Sequence, residues 1–94
     1  MSSEAMNFVK QAISENAVTV FSKTFCPYCA KAKSALNSLS VKNMSVIELD
    51  KRSDGDSIQN ALQELTGGRS VPRVFIQGKF IGGGDDVCKI ICLL

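Results

Sequence analysis

Cys26 and Cys29, separated only by Pro27 and Tyr28, are two thiols at a spacing that lets a disulfide close and reopen. Exchange of this kind needs a thiolate, and the neighbours of Cys26 are of the types that make one. Proline suits the first position of a helix, where its φ is already set and its missing N–H leaves nothing unpaired; Pro27 there makes Cys26 the N-cap. The unpaired N–H groups of the first turn, and the positive end of the helix dipole, then point at the Cys26 sulfur. A free thiol titrates near ~8.5, and cysteines at helix starts or beside a lysine reach roughly 3.5 to 7.5, so Cys26 is expected as a thiolate at neutral pH. Lys23 is the expected second contributor. Cys29, one turn into the helix and facing inward, is expected to stay protonated and to act as the resolving thiol. Two further cysteines, Cys88 and Cys92, allow a four-thiol zinc site to be written. The two pairs lie much farther apart than the roughly 12 to 20 residues of small zinc modules, and the spacing in a βαβ setting favours redox chemistry.

The elements that must position these thiols follow from the pattern. Ala17 to Phe21 is apolar and β-branched without polar alternation, as expected of a strand buried on both faces. Downstream, Ala32, Ala35, Leu36 and Leu39 recur at helical spacing, with Lys31, Lys33, Ser34 and Asn37 on the other face. An opening helix is expected from about Glu4 to Glu15, with Ala5, Phe8, Val9, Ala12 and Ile13 as its apolar stripe and Asn16 at its end. Ser45 to Leu49 reads as a second strand, parallel to the first because a helical crossover joins them. Ile58, Ala61, Leu62 and Leu65 mark a third helix ending at Gly67 and Gly68. Arg73 to Ile76 and Lys79 to Ile81 flank Gln77-Gly78, a tight hairpin turn. Asp85 and Asp86 open a last helix containing Val87, Ile90 and Ile91. The order αβαβαββα predicts an α/β domain: a four-stranded mixed sheet with helices on both faces, the thioredoxin-like fold. The cysteines fall at the C-terminal end of a central strand, where α/β sheets bind ligands.

Composition narrows the chemistry. The chain has 94 residues, 45% of them apolar, enough for one core and one domain over 1–94. A net charge of +2 with both signs interspersed gives no bias toward nucleic acid or an anionic membrane. Histidine is absent, which excludes Cys-His proteolysis and histidine bases. Glu4, Asn7 and Lys10 stand where a secretory signal would be apolar, and no apolar run approaches the ~20 residues of a membrane span. A reducing compartment, the cytoplasm, is expected for a dithiol of this kind.

Over essentially its full length the chain resembles the dithiol glutaredoxins. Lys23-Thr24-Phe25-Cys26-Pro27-Tyr28-Cys29 is similar to their active site, Arg69-Ser70-Val71-Pro72 to their segment before a cis-proline, and Gly82-Gly83-Gly84-Asp85-Asp86 to their glycine-aspartate loop. The resemblance implies a glutathione-dependent thiol-disulfide oxidoreductase acting on protein-glutathione mixed disulfides and protein disulfides. Glutathione serves as reductant and co-substrate, with glutathione reductase and NADPH behind it, and neither a metal nor an oligomer is expected. Lys23, Gln59 and Arg69 match the positions that meet the glycyl carboxylate of glutathione, and Arg69 offers a fork of donors. Val71 would pair its backbone with the cysteinyl part as one strand pairs with another, next to a cis bond at Pro72 that the resemblance alone implies. Gly84 and Asp85 would offer N–H donors to the γ-glutamyl carboxylate, and an Asp85 or Asp86 side chain would meet the ammonium. Tyr28 would wall the disulfide.

Without the resemblance the same residues have plainer readings. Lys23 and Arg69 become surface charges, Gln59 part of a solvated helix face, the aspartates helix caps, and Tyr28 an aromatic of the turn. Two other classes of function stand beside the oxidoreductase: a carrier of an iron-sulfur cluster held by Cys26 and glutathione, and a glutathione-binding interaction module with little turnover. The chain departs from the family pattern in three places. Ser70 replaces a threonine, Gly84 stands where another cysteine is common, and the apolar stretch Val87 to Leu94 reads as a shortened last helix. Cys88 and Cys92, one turn apart there, are expected to remain reduced, since Cβ atoms about 5 to 6 Å apart exceed the ~3.8 Å of a disulfide.

Overall fold

Five consecutive buried residues make β1, Val18–Ser22, the strand about which the domain is organised. The computed structural model describes residues 3–39, 41–84, 86, 87 and 89. In it β1 lies between β2 (Met44–Glu48), with which it runs parallel, and β3 (Arg73–Ile76), with which it runs antiparallel. The outer strand β4 (Lys79–Gly82) completes a mixed sheet in the order β2-β1-β3-β4. The turn between β3 and β4 has φ of 53° at Gln77 and 79° at Gly78, the positive pair that a two-residue hairpin turn of the primed type requires.

Alternation along β1 divides the core in two. Phe21 joins Ile47 and Phe75 on the face covered by α1 (Ser3–Glu15) and α3 (Gly55–Thr66), with Val9, Ala12, Ile58 and Leu62 packed against them. Phe21 and Phe75 meet edge to face, their ring centroids 5.8 Å apart. Val18 and Val20 face the other way, toward Ala32 and Leu36 of α2 (Pro27–Asn37) and toward Val74 and Val87. Helices therefore cover both faces, as the element order implies. Thr19, fully buried, donates its hydroxyl to the Ala12 carbonyl and fastens α1 to the sheet.

The elements expected between Glu4 and Ile81 all form, with shifted edges. β2 ends at Glu48, and Leu49 instead opens a short 3-10 helix, Leu49–Lys51. Leu39 is not part of the α2 stripe: the helix stops at Asn37 and Leu39 is exposed beyond it. Leu65 is exposed also, on the outer side of α3, which ends on Gly67 at φ 85°. Asn16 closes α1 by donating its side-chain amide to the Ala12 carbonyl. After β4, Gly84, Asp86, Val87 and Lys89 are helical. Asp85, Cys88, Cys92 and the rest of the apolar ending lie outside the described residues, and with them the expectations for those cysteines and for a shortened helix. No described helix is long and apolar enough to cross a membrane.

Candidate active site

The backbone places Cys26 as its sequence position predicts. Its φ and ψ are extended, Pro27 opens α2, and the Cys26 carbonyl accepts the first helical hydrogen bond, from the Ala30 N–H, at 3.1 Å. The Cys29 backbone N–H donates to the Cys26 sulfur at 3.3 Å, so the thiol takes the place of an N-capping oxygen. Burial raises the Cys26 thiol more than any other single influence. The hydrogen bonds from Cys29 and from the Tyr28 backbone, with the charge of Lys33, together outweigh it, and the pKa falls below the ordinary value. The larger cationic contribution thus comes from Lys33, not from Lys23: Lys33 rises one turn along α2 from Cys29 and is held at 2.8 Å by Glu48 at the end of β2. Cys29 is fully buried, and burial first, then its side-chain hydrogen bond with Cys26, pushes its thiol up. The two sulfurs thus differ in how readily they ionise, and each is a free thiol in this structure.

The turn leading into Cys26 is anchored from outside the sheet. The Cys26 N–H donates to the Lys23 carbonyl at 3.3 Å, closing a tight turn. Within it, Thr24 gives both its backbone N–H, at 3.0 Å, and its hydroxyl to the Asp50 carboxylate on the 3-10 helix. These hydrogen bonds, the hydroxyl's foremost, hold Asp50 below the usual carboxylate range. Sequence reasoning overlooked this clamp, and also Lys33 and Glu48, because nothing in the linear spacing brings β2 and its 3-10 helix to the start of α2.

The three segments singled out in the sequence converge. The Val71-Pro72 bond is cis, and the Val71 carbonyl lies 3.9 Å from the Cys26 sulfur, close enough for a weak S–H donor. Gly83 sits against the Pro72 carbonyl, and a Cβ on the buried Gly84 would come within 2.9 Å of the Tyr28 carbonyl, so the glycine loop presses on both the proline segment and the first turn of α2. Asp86 accepts from the Gly83 N–H at 3.2 Å, and the Gly83 carbonyl accepts a helical hydrogen bond from the Val87 N–H, so the side chain three residues on ties down the N–H ahead of the helical turn. Tyr28 and Phe25 stand beside Cys26 largely exposed, at 60% and 73%; Phe25 was not singled out by its sequence position.

On the other side of the turn, Lys23, Asp50, Arg52, Asp56 and Gln59 line a polar groove of about 270 Å³. Gln59 differs from the solvated residue its helix position suggests: it is 5% exposed, and its amide N–H donates to the Arg69 carbonyl at 2.7 Å. It thereby holds the segment before the cis-proline. The Arg69 guanidinium is exposed and lies 3.8 Å from Asp56, on the rim of the groove. Among the described residues no cluster of three or more His, Cys, Asp or Glu side chains is arranged to hold a metal ion.

Residues 18–81 match the family model described as Glutaredoxin. Glutaredoxin-C4 of Arabidopsis thaliana is 53% identical over 85 residues, which are 90% of this chain and 62% of that protein. The chain thus spans less than two thirds of that relative's length. Oxidized glutaredoxin 2 from Chlamydomonas reinhardtii superposes with a TM-score of 0.92 at 52% identity, covering 98% of this chain and 86% of the other. A buckwheat glutaredoxin-glutathione complex gives 0.89 at 45% identity, with 94% and 79% covered.

Proposed function

Because the chain belongs to the glutaredoxin family, we propose that it is a glutathione-dependent thiol-disulfide oxidoreductase whose nucleophile is Cys26. The observation that carries this reading is the capped sulfur: Cys26 accepts the Cys29 N–H at the start of α2 and is shifted toward the thiolate, beside the cis bond between Val71 and Pro72. In a protein-glutathione mixed disulfide, the Cys26 thiolate attacks the glutathione sulfur, and the protein thiolate leaves and takes up a proton. The thiolate of a second glutathione then attacks the glutathione sulfur of the mixed disulfide on Cys26, forming glutathione disulfide and releasing the Cys26 thiolate. Protein disulfides follow a two-thiol route in which Cys29 attacks the mixed disulfide on Cys26.

Glutathione has two carboxylates, an ammonium and two peptide groups to satisfy. Lys23 and Gln59 on the groove and Arg69 at its rim suit the glycyl carboxylate, and the Val71 backbone suits strand-like pairing beside Pro72. Gly84 and Asp85, with the Asp86 side chain, suit the γ-glutamyl end, and Tyr28 shields the sulfur. The buckwheat relative in complex with glutathione supports this assignment of the ligand. Glutathionylated and disulfide-bonded proteins are the partners, glutathione reductase and NADPH supply the electrons, and the working compartment is the reducing cytoplasm.

Turnover of a glutathione mixed disulfide with glutathione, glutathione reductase and NADPH tests the proposal. Steady NADPH consumption is expected, and none when thioredoxin reductase replaces the glutathione couple. The opposite preference would refute it.

A further inference from the structure

Ser22 closes β1 with a hydroxyl from which solvent is excluded, the residue being 0% exposed. Its hydrogen bond to the neighbouring Lys23 carbonyl is long, at 3.4 Å, and a buried hydroxyl without a good partner is destabilising. By strand alternation Ser22 shares the face of Val18 and Val20, the one that α2 covers. Against that face α2 sets Cys29, Ala32 and Leu36, and Cys29 is also 0% exposed. A hydroxyl and the resolving thiol, each closed off from solvent, thus stand on facing elements, one at the end of β1 and the other in the first turn of α2.

The charged groups around Cys29 are engaged elsewhere or lie across the turn. Lys33, on its own helix, is bound to Glu48, which stands in register with Ser22 on the next strand. Cys26 lies across the turn, Lys23 follows Ser22, and Asp86 on the terminal segment is exposed and caps Gly83. Burial raises the Cys29 thiol most, and the Cys26 side chain adds to it; hydrogen bonds from the Lys23 backbone and the Ser22 side chain act in the opposite direction.

We propose that Ser22 is a positioning residue for the two-thiol route, acting through Cys29: its hydroxyl donates to the Cys29 sulfur as that sulfur attacks the mixed disulfide on Cys26. The inference rests on the glutathione-dependent reading above. In the step concerned, the Cys29–Cys26 bond forms and the bond from Cys26 to glutathione breaks. Cys29 is oxidised, the glutathione sulfur is reduced, and the departing glutathione thiolate takes up a proton equivalent to the one Cys29 has lost. The one-thiol route never ionises Cys29, so Ser22 has no part in it.

The test mixes the reduced full chain with glutathione disulfide and follows, by acid quench and mass analysis, conversion of glutathionylated Cys26 to the Cys26–Cys29 disulfide across pH. Losing a hydrogen bond to a charged sulfur shifts a thiol equilibrium by roughly tenfold. A more basic thiolate is about threefold more nucleophilic, which offsets part of that loss. Ser22→Ala is therefore expected to slow resolution about threefold at pH 7, with the midpoint of the pH profile moved upward and the deficit gone at high pH. Ser22→Thr, which keeps a hydroxyl, is expected to return the midpoint. In a Cys29→Ser background, Ser22→Ala is expected to leave turnover with glutathione unchanged. An unmoved midpoint overturns the proposal, and so does an equal loss in the Cys29→Ser background, which marks a residue needed only for packing. Absence of all turnover in Cys29→Ser, with resolution still sensitive to Ser22, would strike the glutathione-dependent reading instead.

Discussion

At the scale of single residues, the opposite shifts of the two thiols come from their positions relative to one helix end. Cys26 lies outside the first turn and receives its N–H groups; Cys29 lies inside it and receives burial. Cys26→Ser is therefore expected to abolish exchange, whereas Cys29→Ser keeps most deglutathionylation and loses reduction of protein disulfides. Equal inactivity of the two variants toward glutathione mixed disulfides would exclude the one-thiol route. The cations separate in the same way. Lys33→Met should raise the midpoint of Cys26 alkylation by iodoacetamide more than Lys23→Ala does, while Lys23→Ala should mainly raise KM for glutathione; the reverse order would return the thiolate-stabilising role to Lys23. The same shifts govern pH-dependent stability of the reduced protein. Cys26, lowered on folding, contributes stability that is present above its unfolded value and is lost as pH falls through the folded one. Cys29, raised on folding, contributes below its unfolded value and loses that contribution as pH rises through the folded one.

At the scale of elements, the site depends on how loops are held rather than on how strands pair. The Lys23–Cys26 turn hangs from Asp50 through two hydrogen bonds from Thr24. Asp50→Ala should release that turn and raise KM for glutathione several-fold, with little change in the urea midpoint, because Asp50 is exposed. A large fall in the midpoint with unchanged KM would make the clamp a folding device only. The glycine loop is constrained differently. A side chain at Gly84 meets the Tyr28 carbonyl, so Gly84→Ala should displace the first turn of α2 and cost about 1–3 kcal/mol in denaturant unfolding. Alkylation of Cys26 should slow alongside. Unaltered stability and reactivity would show that the loop yields freely.

Across the molecule, the sheet separates two cores among the described residues; the one beneath α2 supports the helix that bears Cys29, and the one under α1 and α3 meets the site only at its margin, through Val71. Leu62 belongs to the core under α1 and α3, and Leu36 to the core beneath α2. Leu62→Ala should cost about 2–5 kcal/mol, read from urea unfolding, without altering Cys26 alkylation at pH 7. Leu36→Ala should cost a similar amount and also slow the resolving step, since α2 carries Cys29 and is capped by Cys26. Similar effects of the two variants on the thiols would mean that the cores are coupled through β1.

Local patterns in the chain were sufficient for the capped Cys26 sulfur and for the elements around it. A cysteine-proline step after an apolar run dictates an N-capped sulfur, because helix initiation is local; helix and strand periods, and the glycines of the hairpin, likewise act over a few residues. The shifted ends of β2 and α2 show where local signals weaken, for Leu49 and Leu39 are apolar residues whose burial depends on what lies across from them. What only tertiary structure decided is the set of partners brought by other strands. Glu48 holding Lys33, Asp50 holding the turn and Gln59 buried against the Arg69 carbonyl all depend on side-chain contacts between residues of different segments. Such contacts follow from sheet order and helix docking, and neither is written in the spacing of residues along the chain.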